Sequence, residues 1–135
     1  MNNREQKKTA PRAATPETES NNNITDNSIA DIREKIKVVV QHPGDISRIM
    51  TVKNDLKSMQ ELIGGYLETL TLPNGLVLVM DEEGRLKGLR ENVRCVQFGT
   101  IVGRIFITAA EGESFRSLTV EEIQSARAWL LKHSV

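Results

Sequence analysis

Apolar residues fall into short runs from residue 36 onward, and turn-forming residues separate each run from the next. The β-branched run at residues 36–40 predicts a strand that is covered on both faces. Pro43 and Gly44 predict a turn directly after it. Residues 46–52 then return with imperfect alternation, which predicts the second strand of a hairpin.

A helix is predicted next, because residues 56–63 carry apolar side chains at spacings of three and four. Asn54 or Asp55 is placed to accept a hydrogen bond from the first free amide groups of this helix. Gly64 and Gly65 end it. We expect one of the two glycines to adopt the left-handed conformation after the cap, where a β-carbon would clash.

A second hairpin follows the double glycine. Residues 66–72 alternate loosely and residues 76–80 are wholly apolar. Between them, Asn74 and Gly75 supply the positive φ angles that short hairpin loops need. An acidic turn that ends at Gly84 closes this part of the chain.

The last third of the chain is less regular until its end. Residues 85–96 are weakly periodic, so we expect irregular backbone there, whereas residues 100–108 predict a strand. A loop is expected over residues 109–115. Thr119 and Glu122 then form a capping box, which predicts the start of a C-terminal helix.

These elements predict an α+β fold: a mostly antiparallel sheet of about five strands with two packed helices, in the order β-β-α-β-β-β-α. Residues 1–33 contain almost no large apolar side chains, so they predict a disordered polar tail. Residues 34–135 are expected to form a single domain. One sheet face should be covered by a helix, and the other should be solvated or open to a partner.

Composition narrows the class of protein. The 18 basic and 18 acidic residues cancel, which removes the global electrostatic argument for nucleic acid or for an anionic membrane. The single cysteine excludes an intramolecular disulfide and a cysteine zinc site. No apolar run approaches the ~20 residues that cross a bilayer. We therefore expect a cytoplasmic protein with no membrane association.

Several motifs occur together in a fixed order, and they carry a family resemblance. They are residues 36–40, the turn at residues 43–44, residues 62–68, residues 76–79, the Glu-Glu-Gly run at 82–84, and Ser117-Leu118-Thr119 with Glu122. From about residue 35 to the C-terminus, the chain resembles domain-of-unknown-function family 3846. The resemblance implies a small protein or module of a bacterial mobile element, such as a phage, plasmid or conjugative transposon. The family has no established reaction, so the resemblance implies no catalytic residues. Many members also carry proline where this chain has Arg90, which implies a differently set loop.

A basic segment between the predicted strands supplies the main candidate site. Guanidinium groups in an irregular segment can bind phosphate through paired N–H donors. Ion pairs with neighbouring glutamates explain the same residues more economically, and both interpretations stay open. The candidate ligand-binding residues are Tyr66, Arg85, Lys87, Arg90, Asn92 and Arg94.

Other chemistry-bearing residues do not converge. His42 lies in a turn and His133 lies near the chain end, which predicts exposed histidines without a shared metal. Cys95 follows Arg94, a cation that can lower a thiol pKa, but its flanking residues Val93 and Val96 are typical of the surroundings of a small buried side chain. Because no nucleophile, base and metal set can be assembled, we expect no enzyme activity, no cofactor and no metal.

Three function classes therefore remain. We favour a non-enzymatic accessory protein that acts as a protein-interaction module, with assembly through an open sheet edge as one route. This route leaves homo-oligomer formation open. The first alternative is a binder of a small anionic, nucleotide-type ligand at residues 85–94. The second is a nucleic-acid-binding accessory protein, against which the zero net charge counts.

Overall fold

The computed structural model describes residues 35–135, so the predicted tail at 1–33 lies outside the described residues. Two helices and eight strands form in this part of the chain. The helices are α1 (Leu56–Ile63) and α2 (Val120–His133). The strands are β1 (Lys35–Gln41), β2 (Arg48–Lys53), β3 (Leu67–Thr71), β4 (Val77–Asp81), β5 (Glu91–Cys95), β6 (Gly99–Val102), β7 (Ile105–Glu111) and β8 (Ser114–Arg116).

Six strands form one antiparallel sheet, and the other two form a separate hairpin. The main path runs β2-β1-β7-β4-β3, with β8 paired to the second half of β7. The central strand β7 therefore contacts β1, β4 and β8. Strands β5 and β6 pair with each other and form a separate two-stranded sheet. The predicted α+β class and the antiparallel sheet are confirmed.

Alternation along the central strands builds two cores, one on each face of the sheet. Ile105 and Ile107 of β7 lie in the core beneath α2 and the β5–β6 hairpin. Phe106 points to the opposite face, where it packs with Met59 and Ile63 of α1. Both faces are thus covered, which differs from the expectation of one solvated face. Along the main path of the described sheet, the outer strands β2 and β3 each pair on one side only.

The strand prediction differs from the structure in two segments. The irregular backbone expected over residues 85–96 holds only for its first half, because β5 forms where it was not expected. The single strand expected over residues 100–108 is divided between β6 and β7 at Gly103, which has φ +80°. A β-carbon there would lie 2.7 Å from the Leu89 Cδ1 atom, so the bend needs glycine. Residues 109–115, expected as a loop, complete β7 and begin β8.

The helix ends follow the predicted chemistry. Asp55 is the N-cap of α1, and its carboxylate accepts a hydrogen bond of 2.7 Å from the Ser58 amide. Gly64 ends this helix with φ 90°. In the second hairpin, Asn74 Oδ1 accepts from the Leu76 amide at 3.0 Å, and Gly75 has φ 86°.

The capping box of α2 is extended by an ion pair. Thr119 Oγ1 accepts from the Glu122 amide at 3.1 Å, and Glu122 accepts from the Thr119 amide at 2.9 Å. Arg116 donates to both carboxylate oxygens of Glu122, at 2.8 and 2.9 Å. These bonds from Arg116 and Thr119 lower the pKa of Glu122 from 4.5 to about 2.

Replacing this carboxylate gives a pH-dependent test. We expect Glu122→Gln to lower the free energy of unfolding by roughly 1 kcal/mol at neutral pH, because the pair is partly solvated. The folded pKa lies below the unfolded one, so this contribution is complete above about pH 4.5 and disappears as the pH falls toward 2. Denaturant unfolding across this pH range measures it. Glu121→Gln, in the same helical turn, is the matched control. A difference between the wild type and Glu122→Gln that persists unchanged at pH 2 would contradict the assignment.

Candidate functional site

The structure divides the predicted basic segment among three places. Lys87 lies beneath the corner that follows α1, whereas Arg85 and Arg94 meet on the β5–β6 hairpin. Arg90 lies against the turn between β1 and β2. These side chains therefore lie at three separate places on the described domain.

Lys87 is held by an ion pair with a buried carboxylate. Its Nζ atom donates to Asp81 Oδ2 at 2.7 Å and to the Gly64 carbonyl oxygen at 3.1 Å. The Asp81 side chain is 1% exposed. Asp81 Oδ1 accepts a second bond, at 2.8 Å, from the Glu83 amide. Lys87 therefore stabilises the corner. Two of its three N–H donors are used within the protein.

The charge state of Asp81 follows from these contacts. Burial alone would raise the pKa of its carboxyl, but the Lys87 hydrogen bond, the Glu83 amide and the Lys87 charge together hold that pKa below its ordinary value. Asp81 is thus ionised at neutral pH. A buried charge of this kind is tolerated only because its partner is in place.

The two glycines of the corner have different roles. Gly64 takes the left-handed conformation after α1, as predicted for one of the pair. Gly65 is needed for space: a β-carbon there would lie 2.7 Å from Lys87 Nζ and 2.8 Å from both Asp81 carboxylate oxygens. The double glycine is therefore a seat for the ion pair as well as a helix end.

Asn92 lies in the core and is 1% exposed. Its Nδ2 group donates to the carbonyl oxygens of Gln41 at 2.9 Å and Gly103 at 2.7 Å. Its Oδ1 atom accepts from Gln41 Nε2 at 2.9 Å. Both amide hydrogens are thus used inside the protein, and Asn92 joins the hairpin to β1 instead of facing a ligand.

Arg85 and Arg94 converge on Thr100 of β6. Arg85 donates to the Thr100 carbonyl oxygen, and Arg94 Nε donates to Thr100 Oγ1 at 3.2 Å. Arg94 also forms an ion pair with Glu91 at 3.1 Å. These contacts agree with the more economical interpretation of the basic residues, in which they fix the hairpin through local pairs.

The remaining candidates are exposed. Arg90 has no side-chain hydrogen bond or ion pair among the described residues, and its guanidinium lies over Gly44, where a β-carbon would come within 2.5 Å of Nη2. Tyr66 is 62% exposed and lies on the α1 side of the sheet. Its carbonyl oxygen accepts from the Glu82 amide at 2.9 Å.

A cleft lies between the edge strand β3 and the β5–β6 hairpin, and we call it the hairpin cleft. Its volume is about 260 Å³. Leu70, Met80 and Phe98 give it an apolar floor, whereas Glu68 and Glu82 are exposed carboxylates with no ion pair among the described residues. The residues that line it are Glu68, Leu70, Met80, Asp81, Glu82, Arg85, Phe98, Thr100, Ile101 and Val102.

The β3 edge beside this cleft has unpaired backbone groups. The Glu82 amide donates to the Tyr66 carbonyl and the Leu72 amide donates to the Leu76 carbonyl, so even-numbered residues of this strand bond to β4. In an antiparallel pair the intervening residues point their N–H and C=O groups outward. Leu67, Thr69 and Thr71 therefore present an uninterrupted set of donors and acceptors on the outer side of β3.

A second cleft of about 430 Å³ begins at Tyr66, directly before β3, on the side of α1. Lys57 and Lys87 contribute positive charge to it, and Glu61 and Glu83 contribute negative charge. The first residues of the open edge are thus flanked by a cleft on each face of the sheet.

Histidine and cysteine chemistry is dispersed over the described residues. No group of three or more His, Cys, Asp or Glu side chains there could hold a metal ion. His133 stacks on Trp129 with ring centroids 4.3 Å apart, and His42 is exposed in the β1–β2 turn. Cys95 is half-buried at the end of β5. No helix of residues 35–135 is both long and apolar enough to cross a membrane.

The protein-family model described as Domain of unknown function (DUF3846) matches residues 36–131, which is more than half of the chain. The chain belongs to the DUF3846 family. Neither the curated proteins nor the solved structures gave a match. The predicted family is confirmed, and the family's description assigns no activity.

Within this DUF3846 domain, the motifs quoted from the sequence are explained by structural contacts. The double glycine seats the Asp81–Lys87 pair, and Gly84 is buried where a β-carbon would lie 2.9 Å from Val102 Cγ2. Sequence reasoning missed the hairpin cleft, because no spacing in the sequence brings Phe98, in the turn between β5 and β6, to the same cleft as Glu68. The only sequence signal was the loose alternation of residues 66–72, which predicted the strand beside the cleft.

The space that Gly65 leaves for the Asp81–Lys87 ion pair can be tested by substitution. We expect Gly65→Ala to lower the free energy of unfolding by roughly 2 kcal/mol, because the new methyl group overlaps the buried Asp81 carboxylate. In an Asp81→Ala, Lys87→Met background, the same change should cost less than about 0.5 kcal/mol. Equal costs in the two backgrounds, measured by denaturant unfolding, would refute the assignment.

The role of Asn92 gives a second stability prediction. Asn92→Ala should cost roughly 3 kcal/mol or more, since it leaves two buried carbonyl groups and a buried Gln41 donor unsatisfied. Asn74→Ala is the matched control because Asn74 also makes two side-chain hydrogen bonds but is exposed, and it should cost under about 1 kcal/mol. Similar losses for the two variants in thermal and denaturant unfolding would count against a structural role for Asn92.

Proposed function

We propose that this DUF3846 domain is a non-enzymatic protein-interaction module that captures an extended polypeptide segment as an added strand on β3. The observation that carries the proposal is the run of outward-facing backbone groups at Leu67, Thr69 and Thr71. Strand addition uses such groups for affinity and uses neighbouring pockets for alternate side chains. We also propose, on the family resemblance alone, that the module serves a bacterial mobile element.

The β3 edge is better suited to this role than the opposite edge. Natural proteins protect exposed edges with lysine, proline or bulges. Strand β2 begins at Arg48 and ends at Lys53, which lies opposite Lys35 of β1. Strand β3 pairs with β4 without a bulge, and its one charged residue is Glu68. An added strand would therefore meet fewer obstacles on β3.

The two clefts supply selectivity in this proposal. Side chains alternate between the faces of a strand. On one face, those of an added strand would lie beside Glu68 and Leu70, at the hairpin cleft, where an apolar floor and free carboxylates favour a long basic side chain. On the other face they would approach the cleft at Tyr66. Affinity from the backbone would thus be joined to selection by side-chain chemistry.

The distribution of basic groups argues against the alternatives built on anion binding. Lys87 and Arg94 are engaged in ion pairs, and Arg85 donates to a backbone carbonyl. Only Arg90 of this segment has no such partner among the described residues. A nucleotide or a nucleic-acid backbone would need several cations converging on one surface. The protein-interaction function therefore fits the described contacts better.

Amide exchange and a blocked edge test the proposal. In the free protein, the amides of residues 67, 69 and 71 should exchange rapidly, and those of 68, 70 and 72 slowly. Peptides selected from a random twelve-residue display library should slow exchange at 67, 69 and 71. Thr69→Pro should weaken their binding about tenfold or more, because it removes an outward donor without removing a bond to β4.

Thr69→Val is the matched control, since it keeps the backbone donor and the β-branched shape, and it should bind within about twofold of the wild type. Equal binding to Thr69→Pro would overturn the proposal. So would protection that appears along β2 instead of β3, or a library that gives no binders.

A further inference from the structure

A separate cavity lies between the β1–β2 turn and the second half of α2, and we call it the helix-end cavity. Its volume is about 470 Å³, within the roughly 300–1,000 Å³ range of small-molecule sites. The residues that line it are Gln41, Gly44, Asp45, Ile46, Ser47, Arg127, Ala128, Leu131, Ser134 and Val135. It shares no lining residue with either cleft at β3.

Gln41 is the buried polar group of this cavity, at 2% exposure. Its Nε2 atom donates to Asn92 Oδ1 at 2.9 Å and to Ser134 Oγ at 3.0 Å, so both amide hydrogens are used. Its Oε1 atom receives no hydrogen bond from the described residues. Arg104 Nε is the one side-chain N or O atom of the described residues that is inaccessible to solvent and lacks a partner. Gln41 Oε1 therefore keeps some solvent access, and Gln41 lines this cavity.

The orientation of this amide is fixed by its neighbours. Asn92 Nδ2 donates to two carbonyl oxygens, which leaves Asn92 Oδ1 as an acceptor. Ser134 Oγ gives its own hydrogen to the Leu130 carbonyl, at 2.6 Å, and can only accept from Gln41. Rotating the Gln41 amide would set oxygen against oxygen at both contacts. Gln41 Oε1 is therefore a hydrogen-bond acceptor of fixed direction that has no donor among the described residues.

The walls around this acceptor are apolar. Ile46 is 70% exposed and Leu131 is 80% exposed, and both line the cavity with Ala128. Large apolar side chains exposed together around a concavity mark a binding surface more than a solvated one.

The rim carries one cation whose outer donors are available. Arg127 Nε donates to Ser47 Oγ at 3.2 Å, and its guanidinium makes no ion pair among the described residues. The neighbouring carboxylate, Asp45, is engaged by the Ile46 amide at 2.8 Å and by Arg48 at 3.4 Å. A ligand at this rim thus meets a guanidinium with paired N–H donors, which suit an anionic group.

We propose that the helix-end cavity binds a small organic anion with an apolar body, a hydrogen-bond donor that meets Gln41 Oε1, and a negative group that meets Arg127. The apolar walls supply most of the contact area, and the two polar points fix the orientation of the ligand. This site is distinct from the strand-addition edge, and neither proposal depends on the other.

Anilinonaphthalene sulfonate is a suitable probe because it combines apolar rings, one N–H donor and one sulfonate. We expect saturable one-to-one binding by fluorescence titration, with NMR shifts at the amides of Gln41, Ile46, Ala128 and Leu131. Ala128→Phe, which fills the cavity from an exposed helix position, should weaken binding about tenfold or more. Arg127→Glu should weaken it about tenfold, and Lys132→Glu, a charge reversal on the same helix outside the cavity, should leave it within about twofold.

Two probe analogues test the polar points separately. An N-methylated probe lacks the donor for Gln41, and a probe without the sulfonate lacks the anion for Arg127, so each should bind about tenfold more weakly. Non-saturable binding, shifts confined to another surface, or unchanged affinity in Ala128→Phe and Arg127→Glu would overturn the proposal. A failure of the probe to bind would also overturn it and would favour a polypeptide occupant.

Discussion

The side-chain amide of Asn92 connects parts of the molecule that are distant in the chain. Its two donors tie β1 to the bend at Gly103, and its acceptor orients Gln41. The Val135 amide donates to the Asn92 carbonyl at 3.2 Å, so the residues after α2 are held at the same point. Because breaking any of these buried hydrogen bonds is costly, the network favours one arrangement of the hairpin over the sheet. The hairpin cleft and the helix-end cavity both depend on that arrangement.

The buried charge at the corner after α1 likewise depends on its hydrogen-bond partners. Asp81 can remain buried and ionised because Lys87 and the Glu83 amide reach it, and they reach it because Gly65 has no side chain. Lys87 also neutralises the carbonyl end of α1 through Gly64. One lysine therefore fixes the helix end, the corner and the start of β3. The charge of Lys87 stabilises the fold through its ion pair. A basic residue in an irregular segment is therefore weak evidence for ligand binding.

Sequence patterns predicted the elements whose determinants are local. The Thr119–Glu122 capping box, the Asn74-Gly75 loop and the glycine cap of α1 each depend on residues within a few positions, and all three are present. Strand β5 was missed because Val93 is buried by contacts across the fold, and its periodicity is interrupted by a bulge between Glu91 and Val93. The basic residues of segment 85–94 were treated as one site because they are close in sequence. In the structure, the bend at Gly103 and the turns at 82–88 place them on different surfaces. The partner of a long side chain is a tertiary property, and spacing alone does not specify it.

The positions of unsatisfied groups, more than the positions of charges, indicate where this DUF3846 domain can bind. The charged residues of the basic segment mostly have partners, so binding there would have to break existing contacts. At β3 the outward amides and carbonyls have no intramolecular partner in the described sheet, and at the helix-end cavity the same holds for Gln41 Oε1. A group that is already ordered and unpaired loses little entropy when a partner arrives, because the fold has fixed its direction. The two surfaces also differ in what they can accept. An edge strand needs another backbone, whereas the helix-end cavity, with one fixed acceptor and one guanidinium among apolar walls, needs a compact body that carries a donor and an anionic group. The two proposed binding surfaces thus differ in chemistry as well as in position, because one offers backbone groups and the other offers side chains.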